Sequence, residues 1–210
     1  MRRAAIGIRV HSGWGALVAV SHENGEIEIL DRRRVSITGS TDGGANQPYH
    51  SARNLQIPEA ETFLTNSFSA AHAAASSGLR EVMDVLHGQK CRITGCAILM
   101  SAARPLPPLE KILAAHPLLH TAEGQFFRDA FAKACSSNNL PVTKIKERDL
   151  EVALKEKFPR QATQLKRKVH LAGRTIGPPW TTDQKLATLA ALLLLPLPKQ
   201  PSKERQPVRK

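Results

Sequence analysis

The chain has 210 residues, enough for one domain of ordinary size, or for a large core with extensions. Apolar residues make up 41% of it and aromatic residues 4%, so we expect a core built from Leu, Ile, Val and Ala. The formal net charge of +12 favours a polyanionic partner, nucleic acid first, although a basic surface with no specific partner would give the same number.

Cysteine usage and hydropathy exclude a disulfide scaffold and a membrane-spanning segment. Cys91 and Cys96 lie five residues apart in a predicted strand, which directs their side chains to opposite faces and suits neither a metal pair nor a disulfide. Buried, reduced thiols in a cytoplasmic protein are expected. No signal peptide is visible, and the apolar run Leu186–Leu195 is too short to cross a bilayer.

The chain opens with a predicted meander of three strands, Ala4–Val10, Trp14–Val20 and Glu26–Ile37. These segments are rich in Val, Ile and small residues, and the first two are joined by the tight connection His11–Gly13. Asn24-Gly25 is a turn signal before the third strand.

A polar loop, Gly39–Asn54, is predicted next. Its Gly-rich part lacks the Lys-Ser/Thr and helix start that a phosphate-binding loop needs. Tyr49 and His50 stand side by side in it, and they either contact a base or phosphate of a ligand or simply fix the loop.

Helices then alternate with single strands. A helix from Pro58 to Ser76 is expected to break at Ser76–Gly78 and to resume over Leu79–His87. Lys90–Met100 is a predicted strand, apolar on both sides in its second half, and therefore central in the sheet.

The second half of the chain is predicted in the same way. Pro117 is expected to end or kink one helix, and Thr121 to cap the next. A capping box at Thr181–Gln184 opens the last helix. The predicted elements are the helix Leu109–His116, the helix Ala122–Cys135, the strand Pro141–Glu147, the helix Leu150–Lys157, a basic helix Arg160–Leu171 and the helix Thr182–Leu195.

The element order is β-β-β-α-β-α-β-α, which indicates an α/β fold with a mixed five-stranded sheet flanked by helices, as in ribonuclease H-like domains. We assign residues 1–195 to this domain. Residues 196–210 form a Pro-, Lys- and Arg-rich tail that contributes four of the twelve net positive charges and is expected to be disordered.

At this point the chain resembles the Holliday-junction resolvase branch of the ribonuclease H-like superfamily. Ile6-Gly-Ile-Arg9 with the glycines that follow is similar to that branch's first hairpin. His116–Leu140 is similar to its penultimate helix leading into strand five, while Val142–Leu154 and Pro178–Asp183 are similar to its C-terminal portion.

The resemblance implies a site that this chain does not keep. Such nucleases hold two Mg²⁺ ions with carboxylates from strand one, strand four and the last helix. The strand-one position is Arg9 here, the strand-four position falls near Leu99, and Asp183 keeps an acidic position while Leu186 replaces the next. The resolvase chemistry is therefore not expected to carry over, no cofactor is predicted, and Mg²⁺ is disfavoured.

Arg9 instead predicts an anion-binding pocket, because its charge persists at any working pH. The predicted anion-binding residues are Arg9, Ser12, Tyr49, His50, Arg104 and Lys185, with His11 and Asp183 as catalytic candidates. Two alternatives stay open: Arg9 forms a structural ion pair with Asp31 or Asp183, and Asp183 only favours the helix dipole.

His116, His120 and Glu123 form His-x3-His-x2-Glu, which would present three metal ligands on one face of an unbroken helix. Pro117 and the expected cap at Thr121 interrupt that spacing. Histidines at helix ends without a metal are the competing interpretation.

The function predicted from these observations is a catalytically degenerate ribonuclease H-like domain that binds nucleic acid or another polyanion. Arg9, His11 and Arg104 would contact the anion. The tail and the basic helix would supply non-specific attraction, the helix through Arg160, Lys166, Arg167 and Lys168. One alternative is a metal-independent or single-metal enzyme that acts on a phosphorylated small molecule or nucleic acid, with His11 or His50 as base. The other is a scaffold for a partner protein. Oligomeric state and the choice of DNA or RNA stay open.

Overall fold

The computed structural model describes residues 1–38, 46–101 and 105–196. Within them, five strands form one mixed sheet in the order β3-β2-β1-β4-β5. The first three strands are an antiparallel meander, β4 runs parallel to β1, and β5 runs parallel to β4. This confirms the predicted sheet. The strands are β1 (Arg2–His11), β2 (Trp14–Glu23), β3 (Glu26–Ser36), β4 (Cys91–Met100) and β5 (Val142–Lys146).

Helices cover both faces of the sheet. One face packs with α2 and α4 around an aliphatic core that contains Phe127 and Phe131, and the other packs with α5, α6 and α7. A smaller apolar cluster joins α1 and α3 to the first turns of α2 and α4. The helices are α1 (Pro48–Ala52), α2 (Ile57–Gly88), α3 (Leu109–Ala114), α4 (His116–Ser137), α5 (Leu150–Lys157), α6 (Ala162–Ile176) and α7 (Thr182–Leu192).

Helix α7 lies directly on the backbone of β1. A Cβ atom placed on Gly7 would come within 1.9 Å of the carbonyl oxygen of Ala187. Only glycine permits this approach, and Ala187, Ala190 and Ala191 are fully buried beside it. The small residues of β1 and α7 therefore set how close the last helix comes to the first strand.

The predicted break in the long helix is wrong, because α2 is continuous from Ile57 to Gly88. Gly78 lies against β3, where an added Cβ would meet the side chain of Val35 at 2.4 Å. Ser76 is buried and accepts a hydrogen bond from Asn138 at 2.7 Å. These small residues are packing contacts and not a helix end.

Helix α4 also begins earlier than predicted. It starts at His116 with Pro117 in its first turn, where the missing N–H costs no hydrogen bond. Thr121 is inside the helix and donates its hydroxyl to the carbonyl of Pro117 at 3.0 Å, so it is not a cap. The segment predicted as a loop contains α1, and residues 39–45 of it lie outside the described part.

Cys91 and Cys96 were expected on opposite faces, but both belong to the core under α2 and α4. The pairing of β1 with β4 shifts register between Ala4 and Ile6, and this irregularity reverses the alternation. All three cysteines are buried and free. A hydrogen bond with Cys135, together with burial, raises the pKa of the Cys96 thiol.

The basic helix begins at Ala162, so Arg160 precedes it in the turn after α5. Arg104 and residues 197–210, which include almost all of the predicted tail, lie outside the described residues. Across the described helices, none combines the length and apolar character needed to span a bilayer.

Candidate functional site at the end of strand one

Arg9 lies near the carboxyl end of β1, paired in register with Leu99 of β4. Its Nε and Nη2 atoms donate to the two carboxylate oxygens of Glu147 at 2.9 and 3.0 Å. Its Nη1 atom donates to Asp183. One guanidinium therefore bridges two carboxylates that are distant in sequence, with the two-pronged geometry that arginine favours.

Asp183 reaches this cluster from the first turn of α7. The predicted capping box is present, since the N–H of Thr181 donates to Gln184 Oε1 at 2.9 Å and the N–H of Gln184 to Thr181 Oγ1 at 3.5 Å. His11 Nε2 lies 3.0 Å from Asp183 Oδ1. Burial alone would raise the pKa of Asp183, but the hydrogen bonds from His11 and Arg9 outweigh it, and that pKa lies below its ordinary value.

Glu147 was missed from the sequence. It opens a short 3-10 turn, Glu147–Asp149, directly after β5. Because β5, β4 and β1 run parallel, their carboxyl ends meet at one edge of the sheet, and a carboxylate just after β5 lies beside the end of β1. The position of Glu147 directly after a parallel strand was the feature of the sequence that could have identified it as a site residue.

The charge of this cluster differs from the positive pocket predicted from the sequence. One guanidinium faces two carboxylates, so the three groups sum to −1 when His11 is neutral. Of the two alternative ion pairs, the one with Asp183 is formed, while Asp31 pairs with Arg33. The anion-binding role of Arg9 stays a prediction. A phosphate that accepts from both Nε and Nη2 of Arg9 would have to displace the carboxylate of Glu147.

The other predicted anion-binding residues are dispersed. Ser12 is exposed in the β1–β2 turn and Lys185 is half-buried on α7. Tyr49 packs edge-on against Phe126 at a ring separation of 6.2 Å, and burial raises its pKa. In the described part of the chain, no hydrogen bond, ion pair or ring contact joins Tyr49 or His50 to Arg9.

His50 belongs to a different group. Its ligand nitrogen and those of His116 and His120 all lie within 4.8 Å of one another. His50 also contacts Glu123, the third member of the predicted metal pattern. The structure thus brings the three residues of that pattern together and adds His50.

An aromatic and cationic stack borders the Arg9 cluster. The ring of His11 stacks on Trp14 with centroids 4.4 Å apart and planes inclined by 13°. The guanidinium of Arg34 lies over the same indole at 4.0 Å. Trp14 is half-buried, so the indole reaches the protein surface beside the end of β1.

The predicted basic surface divides into paired and unpaired cations. Lys166 lies 3.2 Å from Glu151, and Lys168 lies 2.7 Å from Glu26. Arg160 and Arg167 are exposed, and neither has an ion-pair partner among the residues described here.

No family model and no curated protein sequence matches the chain. Similar solved structures do exist. RuvC of T. thermophilus in complex with a Holliday junction substrate matches with a TM-score of 0.50 over 91% of each chain, at 13% identity. The fold is ribonuclease H-like. This confirms the predicted fold and, at that level, the resemblance to resolvases.

Two further structures are similar at lower scores. The Thermus thermophilus RuvC structure has 14% identity and a TM-score of 0.47, with 90% of this chain and 92% of that chain covered. An Aquifex aeolicus member of the Ppx/GppA family has 12% identity and a TM-score of 0.38, with 73% of this chain and 39% of that chain covered.

Proposed function

We propose that this protein is a ribonuclease H-like domain that binds nucleic acid and does not perform two-metal cleavage at the end of β1. The observation that carries the binding half is the fold, shared over 91% of both chains with RuvC in a complex with a Holliday junction. The net charge of +12 supports the same partner. A cytoplasmic location belongs to the proposal and is supported by the three free, buried cysteines.

The Arg9 cluster supports the loss of cleavage. Two Mg²⁺ ions need several carboxylate oxygens free to coordinate them. Here the carboxylates of Glu147 and Asp183 both accept hydrogen bonds from Arg9, and Leu99 stands at the neighbouring position of β4. A divalent ion would have to displace a guanidinium that makes three hydrogen bonds to these carboxylates.

In this proposal Arg9 links the end of β1 to Glu147 after β5 and to Asp183 on α7. Exposed groups contact the nucleic acid. Arg160 and Arg167 supply unpaired charge to the phosphates. Arg34 is exposed over the indole of Trp14, whose ring also stacks on His11, and it adds a further cation beside the end of β1. Lys166 and Lys168 contribute less, since Glu151 and Glu26 already pair with them.

The test is fluorescence anisotropy with a labelled four-way junction, duplex and single strand, in a chelating buffer over a range of salt concentrations. Affinity should fall steeply with salt, because each neutralised phosphate adds about 0.9 to the slope of log affinity against log salt. The Arg160→Ala/Arg167→Ala variant should reduce that slope by about 2. Arg53→Ala/Arg80→Ala, which removes two exposed arginines from the α1 and α2 side of the sheet, opposite α6, is the control and should leave the slope unchanged.

A parallel assay follows strand cleavage with Mg²⁺ or Mn²⁺ present. No cleavage is expected. Cleavage by the intact protein that disappears in Asp183→Asn would overturn the proposal that this site does not perform two-metal cleavage. Absence of binding, or binding that ignores salt, would overturn the nucleic-acid half.

A further inference from the structure

A second group of ionisable side chains lies where α1 meets the first turns of α4. Three histidines converge there, His50 from α1 and His116 and His120 from α4, with their ligand nitrogens within 4.8 Å of one another. Glu123 lies behind them on α4. We infer that the three histidines bind a divalent transition-metal ion, with Zn²⁺ the ion that the ligand set suits best.

The helix geometry makes the site possible. Because α4 is regular from His116 onwards, His116 and His120 lie four residues apart and share one face. Their Nε2 atoms are 3.1 Å apart. Two imidazole nitrogens bound to one tetrahedral zinc ion at about 2.0–2.1 Å are separated by about 3.3 Å, so this pair is close to a binding geometry.

Glu123 orients His50 and lies near His120. Its Oε1 atom lies 2.7 Å from Nδ1 of His50 and accepts the backbone N–H of that residue at 3.2 Å. Its Oε2 atom lies 3.8 Å from Nδ1 of His120. A carboxylate at Nδ1 favours the tautomer that keeps a proton there and leaves Nε2 free as a ligand, the usual outer contact of metal-binding histidines.

The charge balance also favours a cation. Glu123 is 1% exposed, and among the described residues its ion-pair partners are histidines, with no lysine or arginine. A buried carboxylate needs compensating positive charge. A divalent ion on the three imidazoles would supply it.

The bound ion would join α1 to α4 and keep one open position. Three protein ligands leave the fourth site of a tetrahedral zinc ion to water or to another ligand. His116 and His120 are exposed, so the ion has a path from solvent. The site shares no residue with the Arg9 cluster.

The experiment titrates the untagged full chain with Zn²⁺ by calorimetry and with Co²⁺ by visible absorption, which reports tetrahedral coordination. One ion per chain is expected, without the thiolate-to-cobalt absorption that Cys91, Cys96 or Cys135 would cause. His116→Ala/His120→Ala should weaken binding at least 100-fold, and Glu123→Gln roughly 10- to 100-fold. The control is His87→Ala/His170→Ala, which removes two exposed histidines outside the cluster and should bind as the intact protein does.

The alternative is a hydrogen bond between His116 and His120 that needs no ion. It predicts no saturable binding by the intact protein, or binding that survives in His116→Ala/His120→Ala, and either result overturns the inference. Circular dichroism on every variant establishes that the fold is retained. Should the double variant unfold, His50→Gln, which changes one ligand outside α4, tests the same site.

Discussion

The Arg9 cluster and the His50 cluster are both built around carboxylates, but they balance charge in opposite ways. At the end of β1, Glu147 and Asp183 meet a guanidinium that belongs to the chain. At the start of α4, the ion-pair partners of Glu123 among the described residues are imidazoles. In the first cluster both carboxylates share a guanidinium of the chain, whereas the second has no lysine or arginine partner among the described residues and gains from an added cation.

The contrast shows why the position predicted as a binding site differs from the one best suited to an ion. A single charged side chain does not by itself create a vacant pocket, because nearby opposite charges pair with it. Arg9 is an example, with its side chain one quarter exposed. Neutral histidines with free lone pairs keep their capacity to bind.

The largest effect should come from Gly7→Ala, which breaks the Arg9 cluster by moving the helix that carries Asp183. The new Cβ would lie 1.9 Å from the carbonyl oxygen of Ala187, so β1 and α7 must separate. We expect a loss of about 3 kcal/mol in the free energy of unfolding, measured by urea denaturation. Gly88→Ala, where nothing lies within 4 Å, is the control and should change it by less than about 0.5 kcal/mol.

Arg9→Met tests whether Arg9 is the resident cation of its cluster, that is, the group whose positive charge compensates Glu147 and Asp183. It leaves Glu147 and Asp183 facing each other without compensation. Loss of one partner from a buried pair costs about 3–5 kcal/mol, and these side chains are partly exposed, so we expect about 2 kcal/mol at neutral pH. Mg²⁺ or Mn²⁺ should raise the melting temperature of the variant and not that of the intact protein.

The matched control for that experiment is Arg9→Met/Glu147→Gln. It removes one of the two carboxylates, so it should recover part of the stability and lose the response to divalent ions. Equal stability of Arg9→Met and the intact protein would contradict the assignment of Arg9 as the resident cation.

The fold was predictable because its signals are local. The meander follows from short Val- and Ile-rich segments separated by Gly-containing turns, and the last helix from the capping box that the structure confirms at Thr181 and Gln184. The errors in the predicted elements arose where a residue type that often ends a helix instead makes a packing contact inside one. Gly78 resembles a helix break in sequence but is a contact with Val35.

The sites were less predictable because their partners are distant. Arg9 and Glu147 are separated by 138 residues, and the topology of the sheet alone brings them together. His50 joins His116 and His120 only once α1 packs on α4. The sequence predicts that Pro117 interrupts the metal pattern, whereas its place in the first turn of α4 keeps that pattern regular.

Asp183→Asn measures how much one carboxylate of the Arg9 cluster contributes to the free energy of unfolding. The pKa of Asp183 is lowered in the folded protein, so its stabilising contribution is present above the unfolded value of about 3.9 and is lost as pH falls through the folded value. We expect the variant to lose about 1 kcal/mol at neutral pH. Denaturation curves from pH 7 to pH 3 should show the two proteins converging at the acid end, and a constant difference would contradict the ion-pair account.

Glu123→Gln in metal-free protein should have the smallest effect and gives the sharpest comparison with Asp183→Asn. The amide keeps an oxygen that can accept from His50 Nδ1 and from the His50 N–H, so the shape and the acceptor at this buried position persist. No guanidinium or ammonium of the described residues is left unpaired by the change. We therefore expect a change of less than about 0.5 kcal/mol in the free energy of unfolding, measured by denaturation in a chelating buffer. A loss as large as that of Asp183→Asn would mean that the Glu123 charge is already compensated within the chain, and the two clusters would then be balanced in the same way.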